Sequence, residues 1–298
     1  LGYGVSGTFL ALSGDRLTRH FAATFIANAL LFSLSSLLCV WLAQRIPFDP
    51  QALTWEFRQA LYLAGVFAVL AIPFFAAANC VGLALWRFPA QIPRLYGVDL
   101  LGAGIGALTL VVALSRWHPS HTLLAVSATG LVVAVTSSFA LRWRIRTVIT
   151  AAVIIGLSGT VWKSVDVHPS PYKDLSRSLA VKGAEIDQKV IGVTGVVTVV
   201  RNDQVPQRSA PGLSLLARSL PPEQFAVFVD GDSAGGFLHS KPGEPPAVLR
   251  DLTSAFPYVL LDTPKVLVLH AGSGMDVLQA LSNGAKHIDA LETKPKFL

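Results

Sequence analysis

Residues 264–292 read PKVLVLHAGSGMDVLQALSNGAKHIDALE, and the order of elements in this stretch decides how the C-terminal part of the chain folds. Residues 265–269, KVLVL, are apolar throughout, as a strand buried on both faces of a parallel sheet should be. His270-Ala271-Gly272-Ser273-Gly274 follows as a turn. Glycines in such a turn let the backbone approach a ligand closely, and the helix after it leaves its first N–H groups free. Residues 275–283 supply that helix, with Gly284 as its stop. Residues 287–291, HIDAL, form the next strand and lead into Glu292.

Glu292 lies about 18 residues beyond Gly274, close to the spacing at which an acid accepts hydrogen bonds from ribose hydroxyls. Strand, GxG turn, helix, strand and acid in register predict the opening unit of a Rossmann-like domain. The chain ends at Leu298 and opens at Leu1 inside an apolar run without an initiator methionine, so both ends read as cut. The remaining strands of that sheet are expected beyond residue 298.

Working outward, the composition changes sharply along the chain. It has 298 residues, 52% hydrophobic and 14% charged, which is more apolar than an ordinary soluble domain. Residues 1–162 contain no lysine, ten arginines and four acids (Asp15, Asp49, Glu56, Asp99), whereas residues 163–298 balance fourteen bases against fourteen acids. The net charge of +6 therefore belongs to the apolar half. Basic residues placed between apolar runs point to a lipid bilayer and away from nucleic acid as the partner. Cys39 and Cys80 both lie in apolar runs without a CxxC or Cys/His cluster, so they read as packed thiols, with neither a disulfide nor a metal site.

Residues 22–43, 60–86, 96–115, 121–141 and 147–162 are long enough or nearly so to cross a bilayer, which takes roughly 20 apolar residues. Residues 1–12 read as the end of a sixth span. Pro73 predicts a kink in the second run. Gly102 and Gly106, with Ala103 and Gly104 between them, and likewise Gly2, Gly4 and Gly7, predict small-residue faces for close helix contact, within the chain, with another copy or with a membrane partner. Asp99 is expected to pair with a neighbour such as Arg94. Arg16, Arg19, Arg87, Arg94, Arg142, Arg144 and Arg146 fall in one set of loops, and Arg45, Arg58 and Arg116 in the other, which makes the first set cytoplasmic. Strict alternation then sends the C-terminal half to the opposite side if 147–162 spans, a conflict with an intracellular cofactor.

Past residue 162 the pattern turns to strands. Residues 189–201 and 225–230 are β-branched or alternating runs, with turns at Asn202-Asp203 and Gly231-Asp232, and predict a small antiparallel sheet. Residues 246–261 carry Leu249, Leu252, Phe256 and Leu260 at helical spacing. The predicted fold is a multi-pass α-helical membrane domain (1–162), a small β-domain (163–245) and the start of an α/β Rossmann-like domain of the S-adenosylmethionine-dependent methyltransferase kind (246–298).

Several short motifs resemble, in order, the membrane-fused spermidine synthase-like family. Arg94-Leu95-Tyr96 with Asp99-Leu100 and the Gly102–Gly106 segment is similar to a small-residue membrane helix of that family. Residues 13–19, SGDRLTR, also resemble the cytoplasmic Gly-Asp-Arg loop of major facilitator transporters. Ser170-Pro171-Tyr172 resembles the Ser-Pro-Tyr-Gln opening of the family's small β-domain, Phe228-Val229-Asp230-Gly231 its Leu-Asp-Gly strand end, and Asp251 the acid of its Tyr-His-Glu helix. Residues 265–292 match its first cofactor-binding unit.

The resemblance implies an aminopropyltransferase-like protein of a bacterial inner membrane that binds S-adenosylmethionine or its decarboxylated form. His270, Gly272, Ser273, Gly274 and Glu292 would then hold the cofactor, and Tyr172, Asp230 and Asp251 a polyamine or other small amine. Three departures stand out: Ser273 replaces an amine-binding Asp, Lys173 replaces the Gln after Ser-Pro-Tyr, and Leu249-Arg250 replace the residues before the helix acid. The catalytic residues are not identified in this chain. Two other functions remain open: a non-catalytic membrane module with a synthase-like domain, and a transporter.

Overall fold

Long uninterrupted apolar stretches with few ionisable residues become helices in the N-terminal half, because a helix satisfies its own backbone hydrogen bonds where water cannot. The computed structural model describes residues 1–141, 151, 168–238 and 245–293. The chain divides into two units, Leu1–His168 and Pro169–Leu298.

In the first unit, α1 (Gly2–Arg19), α2 (Phe21–Ala43), α3 (Phe57–Arg87), α4 (Ile92–Arg116) and α5 (Pro119–Ala140) follow one another. Four of the described helices, α2 to α5, are long and apolar enough to cross a membrane, which points to membrane association. The run 147–162 lies, Ala151 apart, outside the described residues. α3 continues through Pro73, and its 31 residues span about 46 Å, well over the roughly 30 Å of a hydrocarbon core. Residues 13–19 are the last turns of α1, not a loop. The only α1–α2 break is at His20.

The packing order differs from the chain order. α3 packs against both α1 and α2, and α5 packs against α2. Side chains that meet give the directions: Ser6 with Asn79 and Gly14 with Trp86 make α1 parallel to α3, while Phe21 with Phe88 and Asn28 with Asn79 make α2 antiparallel to it. The row is therefore α1–α3–α2–α5. Polar side chains join these helices. Ser6 Oγ donates to Asn79 Oδ1 at 2.6 Å and Asn79 Nδ2 to Asn28 Oδ1 at 3.1 Å, where three helices meet. Ser127 Oγ donates to the Ser33 carbonyl at 2.7 Å across α2 and α5. Thr18, Arg19, Phe21, Arg87 and Phe88 surround one shallow depression, so two arginines of the larger loop set, Arg19 and Arg87, meet at one end of the row.

Two contacts expected within the chain are not seen among the described residues. Among the described residues, nothing lies within 4 Å of the Cβ position of Gly102, Gly104 or Gly106, and of α4 only Ala113 is buried. The close helix contacts fall instead at Gly14 against Trp86, at Gly82 against Leu10 and at Gly130 against α2. Among the Gly2, Gly4 and Gly7 set only Gly2 is packed. Asp99 forms no ion pair with Arg94 among the described residues. Side chains five apart on a helix point about 140° away from each other, whereas a pair needs spacing three or four.

The second unit begins with α6 (Asp174–Leu179) and a four-stranded antiparallel sheet in sequential order: β1 (Ala184–Gly192), β2 (Gly195–Asn202), β3 (Gln224–Val229) and β4 (Asp232–Leu238). The apolar run 189–201 is not one strand. It folds on itself at Val193-Thr194, with Gly192 opposite Gly195, because Gly195 takes a φ of 127° that other residues avoid. Val197, Thr198, Val199 and Val200 are all buried, so the central strand is covered on both faces and shows no polar alternation. α6 covers one face through Leu175 against Val200, Ala226 and Phe228.

Residues 246–261 are not a continuous helix. They form two 3-10 turns, Ala247–Arg250 and Thr253–Ala255, and then the short α7 (Phe256–Leu260). Pro257 suits only the first turn of a helix, so α7 starts there and cannot extend backwards. Val248, Leu249 and Leu252 still form a core with Leu213, Leu238, Met275 and Leu278.

β5 (Lys265–Leu269), α8 (Met275–Ser282) and β6 (His287–Leu291) complete the unit, and β5 pairs with β6 in parallel register from Lys265–His287 to Leu269–Leu291. α8 ends in a Schellman motif: Gly284, at φ 77°, donates to the Leu281 carbonyl and Ala285 to the Ala280 carbonyl. Val268 is buried, whereas Leu267, Leu269 and Leu291, which point to the other face, are exposed.

Candidate functional site

The turn between β5 and α8 carries three successive left-handed positions separated by single residues: His270 at φ 57°, Gly272 at 50° and Gly274 at 79°. Glycine adopts this conformation without cost and histidine does not, so His270 is held there by its surroundings. Ala271 N–H donates to the Leu291 carbonyl at 3.1 Å, and Gly272 N–H donates to Glu292 Oε2 at 2.7 Å. The acid that closes β6 is thus brought onto the turn that closes β5, at the C-terminal ends of both parallel strands.

On its other side the turn faces the antiparallel sheet. A bulge places Ala234 and Gly235 of β4 opposite Val227 of β3, and the Cβ position of Gly235 lies 3.4 Å from Ser273 Oγ. Between bulge and turn is a cavity of about 260 Å³ whose wall includes His270, Gly272, Ser273 and Asp276, with Gly236 and Leu249 opposite. Gln224 also lines it. Its Nε2 donates to the Ser209 carbonyl at 2.8 Å, while its buried Oε1 lies against Gly236, where any Cβ would collide with it, and has no hydrogen-bond donor among the described residues.

Of the residues expected to hold a cofactor, His270, Gly272 and Ser273 line this cavity, Gly274 caps the helix behind it and Glu292 binds the turn. The three residues expected to hold an amine do not line it. Tyr172 lies in the turn before α6. Asp230, itself at φ 51°, accepts from Val196 N–H at 2.8 Å and so closes the β2–β3 end of the sheet. Asp251 follows a 3-10 turn, where its carbonyl accepts from Ser214 N–H at 2.9 Å. Lys173, the residue in place of glutamine, pairs with Asp232 at 2.6 Å.

Two residues that pattern reading passed over, Asp276 and Gln279, shape the site together with Arg250, which the motif marked only as a departure. Asp276, in the first turn of α8, puts a carboxylate on the cavity wall three positions after Ser273. Gln279 is 3% exposed and donates to the Leu249 carbonyl at 3.1 Å and to Ser254 Oγ at 2.9 Å. Arg250 Nε donates to the Ser282 carbonyl at 2.8 Å, which favours the C-terminal end of α8. Gln279 sits four residues after Met275, on the same helix face, so a polar residue on that face was the available signal.

Tyr258 holds its proton above the ordinary phenol range, chiefly because burial disfavours the phenolate and secondly because Asp276 is near. Folding therefore gains from the neutral phenol below the unfolded pKa of about 10, and that gain is lost as pH rises from there through the folded value. Asp276→Asn is expected to bring the Tyr258 titration part of the way back. Phenolate absorbance, compared with a Tyr258→Phe control, reads the shift; an unmoved titration would remove Asp276 from this neighbourhood.

The architecture defined by these elements is a helical unit suited to a membrane, followed by a small sheet unit with one parallel βαβ arm. No protein-family model matches the chain, and no curated protein or solved structure is detectably similar to it.

Proposed function

We propose that the chain is a membrane-anchored, spermidine synthase-like transferase of a bacterial inner membrane, whose parallel arm opens a Rossmann-like domain that holds S-adenosylmethionine or its decarboxylated form. The observation that carries this reading is the meeting of Glu292 with the left-handed Gly272 turn at the ends of β5 and β6. Glu292 would accept the ribose hydroxyls, and the glycine backbone would admit the chain of the thioether close to α8. The cofactor supplies an electrophilic carbon beside a sulfonium. The protein's part is to bring an amine to that carbon and to take its proton, and Asp276 is the carboxylate on the cavity wall where Ser273 offers none. At about 260 Å³ the cavity lies just under the roughly 300–1,000 Å³ of small-molecule sites, which fits the reacting end of a ligand.

A second reading, a non-catalytic binding module, draws support from the placement of Tyr172, Asp230 and Asp251 away from the cavity. Calorimetry on the full chain in detergent separates the two. Saturable binding of S-adenosylmethionine, its decarboxylated form or methylthioadenosine is expected. Glu292→Ala should weaken it roughly 10–100-fold, the worth of charge-assisted hydrogen bonds. No saturable heat with any of the three would favour the module.

A further inference from the structure

We infer that part of the Pro169–Leu298 unit also enters a lipid surface: the turn around Leu215-Leu216 together with α7. Leu215, Leu216 and Leu220 on one segment, and Phe256, Val259 and Leu260 on the other, are each between 64% and 102% exposed. The two segments are neighbours. Leu213 bridges to Leu252, Ser214 N–H donates to the Asp251 carbonyl, and Ser214, Phe256 and Val259 share one shallow depression. Six large apolar side chains on adjoining segments exceed the scattered exposure normal for a soluble surface.

Two features select lipid as the occupant. The first is backbone satisfaction at the projecting tip. Leu213 N–H donates to the Ala210 carbonyl, Leu216 N–H to Ser214 Oγ and Ala217 N–H to the Ser214 carbonyl. These internal bonds satisfy three of the turn's N–H groups and so lower the cost of placing it at a lipid–water interface, where headgroups and water can bond the others. The second is charge. Across 209–222 and 252–261 the sole formally charged side chain is Arg218, exposed, whose cation suits anionic headgroups and whose methylene stem can follow its apolar neighbours into the interface. The bilayer is also the surface to which four apolar helices of this same chain point, so insertion is an intramolecular event at high effective concentration. Shallow burial, about 5–10 Å, is the depth such segments reach.

The test uses the full chain in nanodiscs holding one copy each, with an environment-sensitive fluorophore on Leu216→Cys or, as a comparison on exposed β1, on Asp187→Cys; labelled wild type is the blank for Cys39 and Cys80. With phosphatidylglycerol discs, a lipid-borne nitroxide should quench position 216 several-fold more than position 187, and emission at 216 should be blue-shifted. Arg218→Glu should reduce that quenching on phosphatidylglycerol and leave phosphatidylcholine discs unchanged. Equal quenching of both positions by aqueous iodide, with none from lipid, overturns the proposal. So does shielding of position 216 that appears only when two copies share a disc, since a second copy would then be its cover. Adenosyl thioether binding is independent of every one of these outcomes.

Discussion

Gly130→Leu is expected to separate α5 from α2 and to lower the stability of the helical unit more than any other single change considered. The Cβ position of Gly130 lies 2.9 Å from the Ala29 carbonyl oxygen, 2.9 Å from Ser33 Cβ and 2.8 Å from Phe32 Cδ1. Backbone on the facing helix cannot swing aside, so relief requires the helices to move apart. Overpacking of this kind costs about 1–3 kcal/mol for a small side chain and more for a large one. Parting the helices also breaks the Ser127–Ser33 bond, a further ~0.6–1.7 kcal/mol in a membrane setting. Thermal unfolding in detergent should show a lowered midpoint for Gly130→Ala and a much lower one for Gly130→Leu. Gly102→Leu serves as the contrast, since among the described residues nothing lies within 4 Å of its Cβ position. Equal effects at the two positions would refute this account of the packing.

Gln279→Ala is expected to loosen the wall of the cavity from behind. The buried amide ties α8 to the Leu249 carbonyl and to Ser254, and those ties hold residues 247–255 in place without a continuous helix. Its removal leaves a buried carbonyl without its side-chain donor and opens a void, together about 2–4 kcal/mol. Hydrogen exchange should rise across residues 247–260 before it rises in β2 and β3. Gln279→Leu keeps the volume and loses the hydrogen bonds, so it should cost less than alanine. A leucine variant as well protected as wild type would show that packing alone holds the segment.

Legibility followed the kind of interaction that fixes each element. β5 and β6 were read to the residue, because a short apolar run between turn residues has few other options. The ends of α2 and α5 were read within two residues for the same reason, since hydrophobic length sets them. The β1–β2 hairpin was hidden because Val193-Thr194 is not a turn-forming pair, and only the φ of Gly195 betrays it. Residues 246–261 had a helical period yet broke at Pro257 and at Asp251, where tertiary bonds to Ser214 and Gln279 outweigh local preference. The site was half legible. Glycines and Glu292 announced themselves by spacing, whereas Asp276, Gln224 and Arg250 gained their places from strands and turns distant in sequence.

The row α1–α3–α2–α5 has a consequence for biosynthesis. α1 and α2 are joined only at His20, yet they close against each other less than each closes against α3. Ser6 and Asn28 wait on either side of a gap until Asn79 arrives about fifty residues later. A nascent chain halted after α2 would hold two polar side chains in hydrocarbon without this shared partner, and would be a natural client for whatever shelters unfinished spans. α3 acts as the wedge between α1 and α2, so its arrival marks the step at which these three helices can take up their arrangement.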